Sequence, residues 1–123
     1  MQILYAGLGG FLGAALRHGA HLAGHRWQSA WSFPAVTLGI NVLGCFLLGW
    51  LTAYATTRGT VSEDLRVFLG VGILGGFTTW SAFGVDTIRL WSGDLRVGAV
   101  LYVLLHLVLS LVAVVVGWRL ASA

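Results

Sequence analysis

Apolar residues run along this chain in four long blocks separated by short polar interruptions, the pattern of membrane-spanning helices. The first block covers about residues 3–24 and gives way to a polar and aromatic stretch at 25–32. The second opens at Pro34, whose fixed φ suits a first helical turn, and continues to about residue 56. Residues 57–64 hold Arg58, Glu63 and Asp64 and form a loop. Ser62 followed by two acids marks a helix N-terminus, where a hydroxyl caps free N–H groups and negative charge meets the positive end of the dipole. The third block runs over about 65–90, and after 92–94 the fourth covers about 96–118. Each is long enough to cross a hydrocarbon core, which takes ~20 residues. The pattern therefore predicts an all-α membrane protein with four transmembrane helices in a single domain, 1–123.

Composition sharpens this reading. Hydrophobic residues make up 58% and charged residues 9% of the chain, against about 25% charged in soluble domains. No room remains for a soluble catalytic domain. No nucleophile–base pair or three-ligand metal cluster is visible, so an enzyme is not expected. The pI near 9.8 raises a nucleic-acid partner, but the arginines are scattered rather than clustered, and none is expected. Eighteen glycines against one proline suit helices that pack closely in lipid. Cys45, the single cysteine, excludes an intrachain disulfide. The N-terminus lacks the pattern of a cleaved leader, so its apolar stretch is expected to be retained. Trp27, Trp31, Trp91 and Trp118 fall near span ends, as interfacial anchors do, whereas Trp50 and Trp80 do not.

Four spans alternate the loops between two sides. One side receives Arg58, Arg66 and Arg119, and the other Arg26, Arg89 and Arg96, with Arg17 deeper in the first span. Orientation follows an excess of Lys/Arg on the cytoplasmic side, and this tally is three against three. Dual topology is the expectation, and with it an antiparallel homodimer.

The third span carries Gly75-Gly76-Phe77-Thr78-Thr79, a run of poor helix propagators. At ~1.5 Å per residue from Leu65, Gly75 lies about 15 Å in, at the bilayer centre. Irregular backbone at that depth needs partners for its carbonyls. A hard cation bound by carbonyls from two chains would serve, and so would a kink satisfied by threonine hydroxyls and neighbouring helices. In the second span Thr37 and Asn41 share a face, as pathway groups or as an interhelical hydrogen bond. In the fourth, Tyr102, His106 and Ser110 make one polar stripe in an aliphatic helix. Gly9, Gly13, Arg17 and His21 repeat every four residues, a close-packing face that turns cationic. Arg17 either snorkels to headgroups or draws anions into a vestibule.

Three motifs resemble the Fluc/CrcB family of bacterial fluoride channels: Gly9-Gly10-Phe11-Leu12-Gly13-Ala14-Ala15-Leu16-Arg17, the segment from Thr37 through Asn41 to Gly44, and the segment from Gly72 to Phe83. The resemblance covers almost the whole chain. It implies an antiparallel dual-topology homodimer with two separate fluoride pores in the bacterial inner membrane, exporting cytoplasmic fluoride passively. It implies a third helix broken at the midplane and a structural sodium ion on the twofold axis, held by carbonyls of Gly75 and Thr78. The pore residues it implies are Asn41, Trp80, Phe83, Thr37, Ser81, Tyr102, His106 and Ser110, with Arg17 in the vestibule. Departures from the family pattern are Trp80 for a phenylalanine, Ala82 for a threonine, Val36 for a glycine and His18 for an aromatic.

Such groups suit fluoride. A desolvated ion costs tens of kcal/mol unless donors replace its water. Amide, hydroxyl and backbone N–H groups are compact donors, and an aromatic edge is electropositive. Passage also requires weak, multi-site binding. The alternatives are a non-conducting or heterodimeric partner subunit, which Trp80 keeps open, and a small four-helix multidrug transporter. The latter needs a membrane-embedded glutamate, and the sole glutamate, Glu63, lies in a loop.

Overall fold

The computed structural model describes residues 1–28 and 32–123, and among these the chain is helical with no strand. Helix α1 spans Gln2–Gln28 and α2 spans Ala35–Arg58. The third block is built from α3 (Glu63–Arg66), a π-helical stretch Val67–Leu74, α4 (Gly75–Phe77) and α5 (Trp80–Ser92). Helix α6 spans Arg96–Ser122. Trp31 lies outside the described residues, and so do the side chains of Arg26 and Trp27. Three segments, Ala35–Arg58, Glu63–Ser92 and Arg96–Ser122, are long and apolar enough to cross a membrane. Helix α1 matches them in length at 27 residues, but Arg17, His18, His21 and His25 dilute its second half, and it is not among the three.

The ends follow local chemistry. Ser62 caps α3 by accepting from the Leu65 N–H at 3.3 Å. Pro34, expected inside the first turn, is instead the N-cap of α2, with φ −80° and ψ 63°. That helix stops at Gly59, whose φ of 62° a side chain would disfavour. Helices α1 and α6 run about four residues past the expected ends, to Gln28 and Ser122.

Two helix pairs build the protomer, and in each the partners run in the same direction. Helix α2 packs along α6, with Asn41 meeting His106 and Gly49 meeting Val114. Helix α1 packs along the first half of the third block, with Gly9 on Gly72 and Gly10 on Gly76. The approach is backbone to backbone: a Cβ on Gly72 would sit 2.8 Å from the Gly9 Cα. Small residues at both faces are what permit this in lipid. The Gly75 N–H reaches back five residues to the Gly70 carbonyl, closing the π-helical stretch.

Helical geometry then stops for two residues. Thr78 (φ −76°, ψ 158°) and Thr79 (φ −151°, ψ 116°) are extended, and α5 begins at Trp80. Both threonine hydroxyls satisfy backbone at the interruption. Thr78 Oγ1 donates to the Leu74 carbonyl at 3.0 Å, and Thr79 Oγ1 caps α5 by accepting from the Ala82 N–H at 3.1 Å. Beyond it, α5 lays Phe83 and Leu90 against Ala99 and Tyr102 of α6.

Candidate ion pathway

The extended residues are held from α2. Asn41 Oδ1 accepts from the Thr79 N–H at 2.8 Å, and Asn41 Nδ2 donates to the Thr79 carbonyl at 2.9 Å. The carboxamide thus pairs with Thr79 as a neighbouring strand would. Its remaining N–H meets His106 Nε2 at 2.7 Å. All three hydrogen-bonding positions of the Asn41 side chain facing the protein are used, in a buried setting.

One turn before Asn41, Thr37 is fully buried and its hydroxyl donates to Asp86 Oδ2 at 2.7 Å. Tyr102 points its hydroxyl at the same oxygen from 3.5 Å. An aromatic group closes around these polar atoms. Phe83 lies 4.4 Å from the His106 ring and 5.5 Å from Tyr102, and Phe33 meets Tyr102 edge-on at 5.4 Å. Thr37, Asn41, Phe83, Tyr102 and His106 are therefore brought together in the interior. Trp80 and Ser81 are not: both lie exposed on the outer face of the single chain. Trp80 is 73% exposed, with its ring 4.9 Å from Phe83. Ser110 continues the α6 stripe one turn beyond His106, with a buried hydroxyl.

Arg17 does not run out along its helix. Its Nη1 donates to the Thr78 carbonyl at 3.4 Å. It borders an open cavity of about 560 Å³ together with His18, His21, Asp86 and Arg89. Positive side chains outnumber the single carboxylate there, which favours anions at the mouth. Asp86 is the residue that sequence reading passed over. It sits inside the third block, its side chain is 12% exposed, and Arg89 is 3.9 Å away. The signal was available, since an ionisable side chain within a span reads as functional by default.

The carbonyls expected to hold a cation can be judged at the interruption. The Thr79 N–H, which in an unbroken helix would close on the Gly75 carbonyl, goes to Asn41 instead. Gly75 is exposed on the protomer surface. Thr78 shares its carbonyl with Arg17 and keeps a second lone pair. Two neutral hard oxygens of this kind fit a hard cation, but they supply only part of a coordination shell.

The family model for CrcB-like protein, Camphor Resistance (CrcB), matches residues 4–118. The chain belongs to the CrcB family. Relatives bearing the name fluoride-specific ion channel FluC include a Paracoccus denitrificans protein, 44% identical over 93% of this chain and 89% of the relative. Another, from Oceanobacillus iheyensis, is 40% identical over 98% and 91%. A third, from Methylobacillus flagellatus, is 37% identical over 98% and 94%. CrcB relatives are named as channels, not enzymes, and family membership sets aside the multidrug-transporter alternative. With three membrane-length apolar helices, this CrcB chain is a multi-pass membrane protein.

Proposed function

We propose that this chain is a fluoride-selective ion channel of the bacterial inner membrane, working as an antiparallel, dual-topology homodimer with two pores. The observation that carries this reading is its near-full-length similarity to relatives named fluoride-specific ion channels. All four helical blocks cross the bilayer, α1 included, and the extended pair Thr78–Thr79 sits at mid-depth. Arg17 and its neighbours collect anions at the mouth. Ser81, Tyr102, His106 and Ser110 then offer hydroxyl and imidazole groups in place of water, along a path bordered by Thr37 and Asn41, whose own donors are engaged within the protein. Phe83 and Trp80 line the path with ring edges and exclude bulk water. Neutral donors spread over several positions bind a small anion without trapping it. Carbonyls of Gly75 and Thr78 from both protomers would hold sodium at the twofold axis, adding fixed positive potential and tying the subunits. The exposed Gly75 is consistent with a shell completed by a second copy.

Reconstituted into liposomes, the protein should dissipate a fluoride gradient and leave a chloride gradient standing. Equal chloride efflux, or no efflux of either ion, would overturn the channel reading. Dual topology rests on the three-against-three arginine tally. A single cysteine placed at 57–64 in a Cys45→Ser background should be labelled from both faces of intact cells. Labelling from one face alone rules out the antiparallel pair.

A further inference from the structure

We infer that His18 and His21 make the mouth beside Arg17 an acid-responsive anion collector: once protonated, the two imidazoles multiply its positive charge and speed the entry of fluoride. The inference rests on the fluoride-channel reading and adds to it a control by pH.

The open cavity of about 560 Å³ is walled by three elements: α1 supplies Arg17, His18 and His21, α2 supplies Thr37, and α5 supplies Asp86 and Arg89. Order along α1 sets depth. Arg17 reaches the Thr78 carbonyl at the interruption. His21 stands one turn farther out on the same face, about 6 Å along the axis. His18, which takes the place of an aromatic in the family pattern, is exposed, and His21 is half-buried. An anion moving inward from this end of α1 therefore passes both rings before it reaches the interruption. His25, a further turn out, is exposed and does not border the cavity.

Among the described residues, the other charged groups on these walls are Arg17, Arg89 and Asp86. Asp86 is already engaged: Thr37 donates to its Oδ2 at 2.7 Å, Tyr102 of α6 reaches the same oxygen from 3.5 Å, and Arg89 lies 3.9 Å from Oδ1. Neither histidine is ion-paired among the described residues. Two arginines and one aspartate leave the mouth at a net +1, and two imidazolium rings raise it to +3. Histidine is the side chain whose charge ordinarily changes between about pH 5 and 8. A unit charge ~10 Å away in water concentrates an anion about twofold, so two concentrate it roughly fourfold. Charge at a mouth speeds passage in both directions and leaves the equilibrium untouched, so this device changes conductance alone. Acid is also the condition in which fluoride crosses lipid as uncharged hydrogen fluoride and ionises inside. The acidity that loads a cell thus also speeds its clearance.

Fluoride current across a planar bilayer is the measurement, because hydrogen fluoride crosses without carrying charge. At low ionic strength the wild-type current at about pH 5.5 should exceed that at about pH 7.5 by roughly fourfold. The ratio should shrink toward unity when sodium gluconate is added to about 1 M, where the Debye length is about 3 Å. Combining His18→Phe with His21→Asn should bring the ratio to about one. Combining His18→Arg with His21→Lys should also flatten it, with the acid-level current now present at about pH 7.5; this pair decides the matter if the neutral variant does not fold. A flat wild-type current overturns the inference. So does a pH dependence that persists in either double variant, as titration of Asp86 or His106 would produce. A second readout does not depend on flux. In ¹⁵N-histidine-labelled protein in lipid at about pH 6.5, the signals missing from the double variants should show more imidazolium in sodium fluoride than in sodium gluconate of equal ionic strength, since an anion in the mouth favours the charged ring. Equal fractions in the two salts overturn the inference. Wild-type protein that carries no fluoride current at either pH overturns the channel reading instead, and the spectrum still decides whether the two rings collect anions.

Discussion

Asn41→Asp should abolish fluoride flux and destabilise the fold together, because one side chain supports both. The carboxylate can still accept from the Thr79 N–H, as Asn41 Oδ1 does at 2.8 Å. Its second oxygen, however, would stand where Nδ2 now donates to the Thr79 carbonyl and to His106 Nε2. That oxygen and the Thr79 carbonyl would then face each other as two acceptors in a buried space, while the His106 ring can answer the carboxylate only by moving its hydrogen to Nε2. Each buried polar group left unpaired costs about 1–3 kcal/mol, and more when charged. The loss should therefore be roughly 3–6 kcal/mol, with flux falling by at least about a hundredfold. Asn41→Leu separates charge from hydrogen bonding: it should destabilise similarly, since Thr79 loses both partners, without placing an anion on the path. Unfolding in detergent, followed by circular dichroism, and liposome efflux report the two quantities. An Asp variant as stable as the wild type would show that Asn41 does not hold the interruption.

Gly72→Val should separate α1 from the third block. Its Cβ would lie 2.8 Å from the Gly9 Cα, 3.1 Å from the Gly9 carbonyl carbon and 3.2 Å from the Ala6 carbonyl oxygen. All three are backbone atoms, so no rotamer change relieves the overlap and a whole helix must move. Overpacking of this kind costs about 1–3 kcal/mol or more. Gly39→Ala is the matched control, because nothing lies within 4 Å of its Cβ position. There a helical alanine should gain about 0.5–1 kcal/mol over glycine. The comparison is read in the midpoint of detergent unfolding. Equal midpoints for the two variants would mean that the glycine contact contributes nothing to stability.

Four helical blocks and their order were legible because each apolar run is ended by charge or by a capping residue, as at Ser62. The shared face of Thr37 and Asn41 and the stripe from Tyr102 to Ser110 were legible from helical spacing alone. What Asn41 does was not. Spacing says that a carboxamide points inward, but its pairing with Thr79 depends on an extended backbone 38 residues away. The π-helical stretch Val67–Leu74 escaped for a related reason. A change from α to π turns shifts hydrogen bonds by one residue and leaves the hydrophobic pattern nearly unaltered. Asp86 is a different kind of omission. Its type and depth are plain in the chain, whereas the test for a membrane-embedded glutamate reaches only Glu63 and not an aspartate. Trp80 could not be placed, because its exposure on one protomer says which way it points and not what covers it.

The two threonines also divide the third block mechanically. Before them, the π-helical stretch and α4 are packed on α1 through glycine contacts at Gly72 and Gly76. After them, α5 rests on α6 through Phe83 and Leu90. One continuous span thus belongs to two separately braced bodies, and the Asn41 amide is the pin driven through the joint between them. Motion of α1 near Arg17 therefore reaches the ring cluster by way of that joint and of α2, which Gly24 meets at Val36 and which Thr37 ties to Asp86.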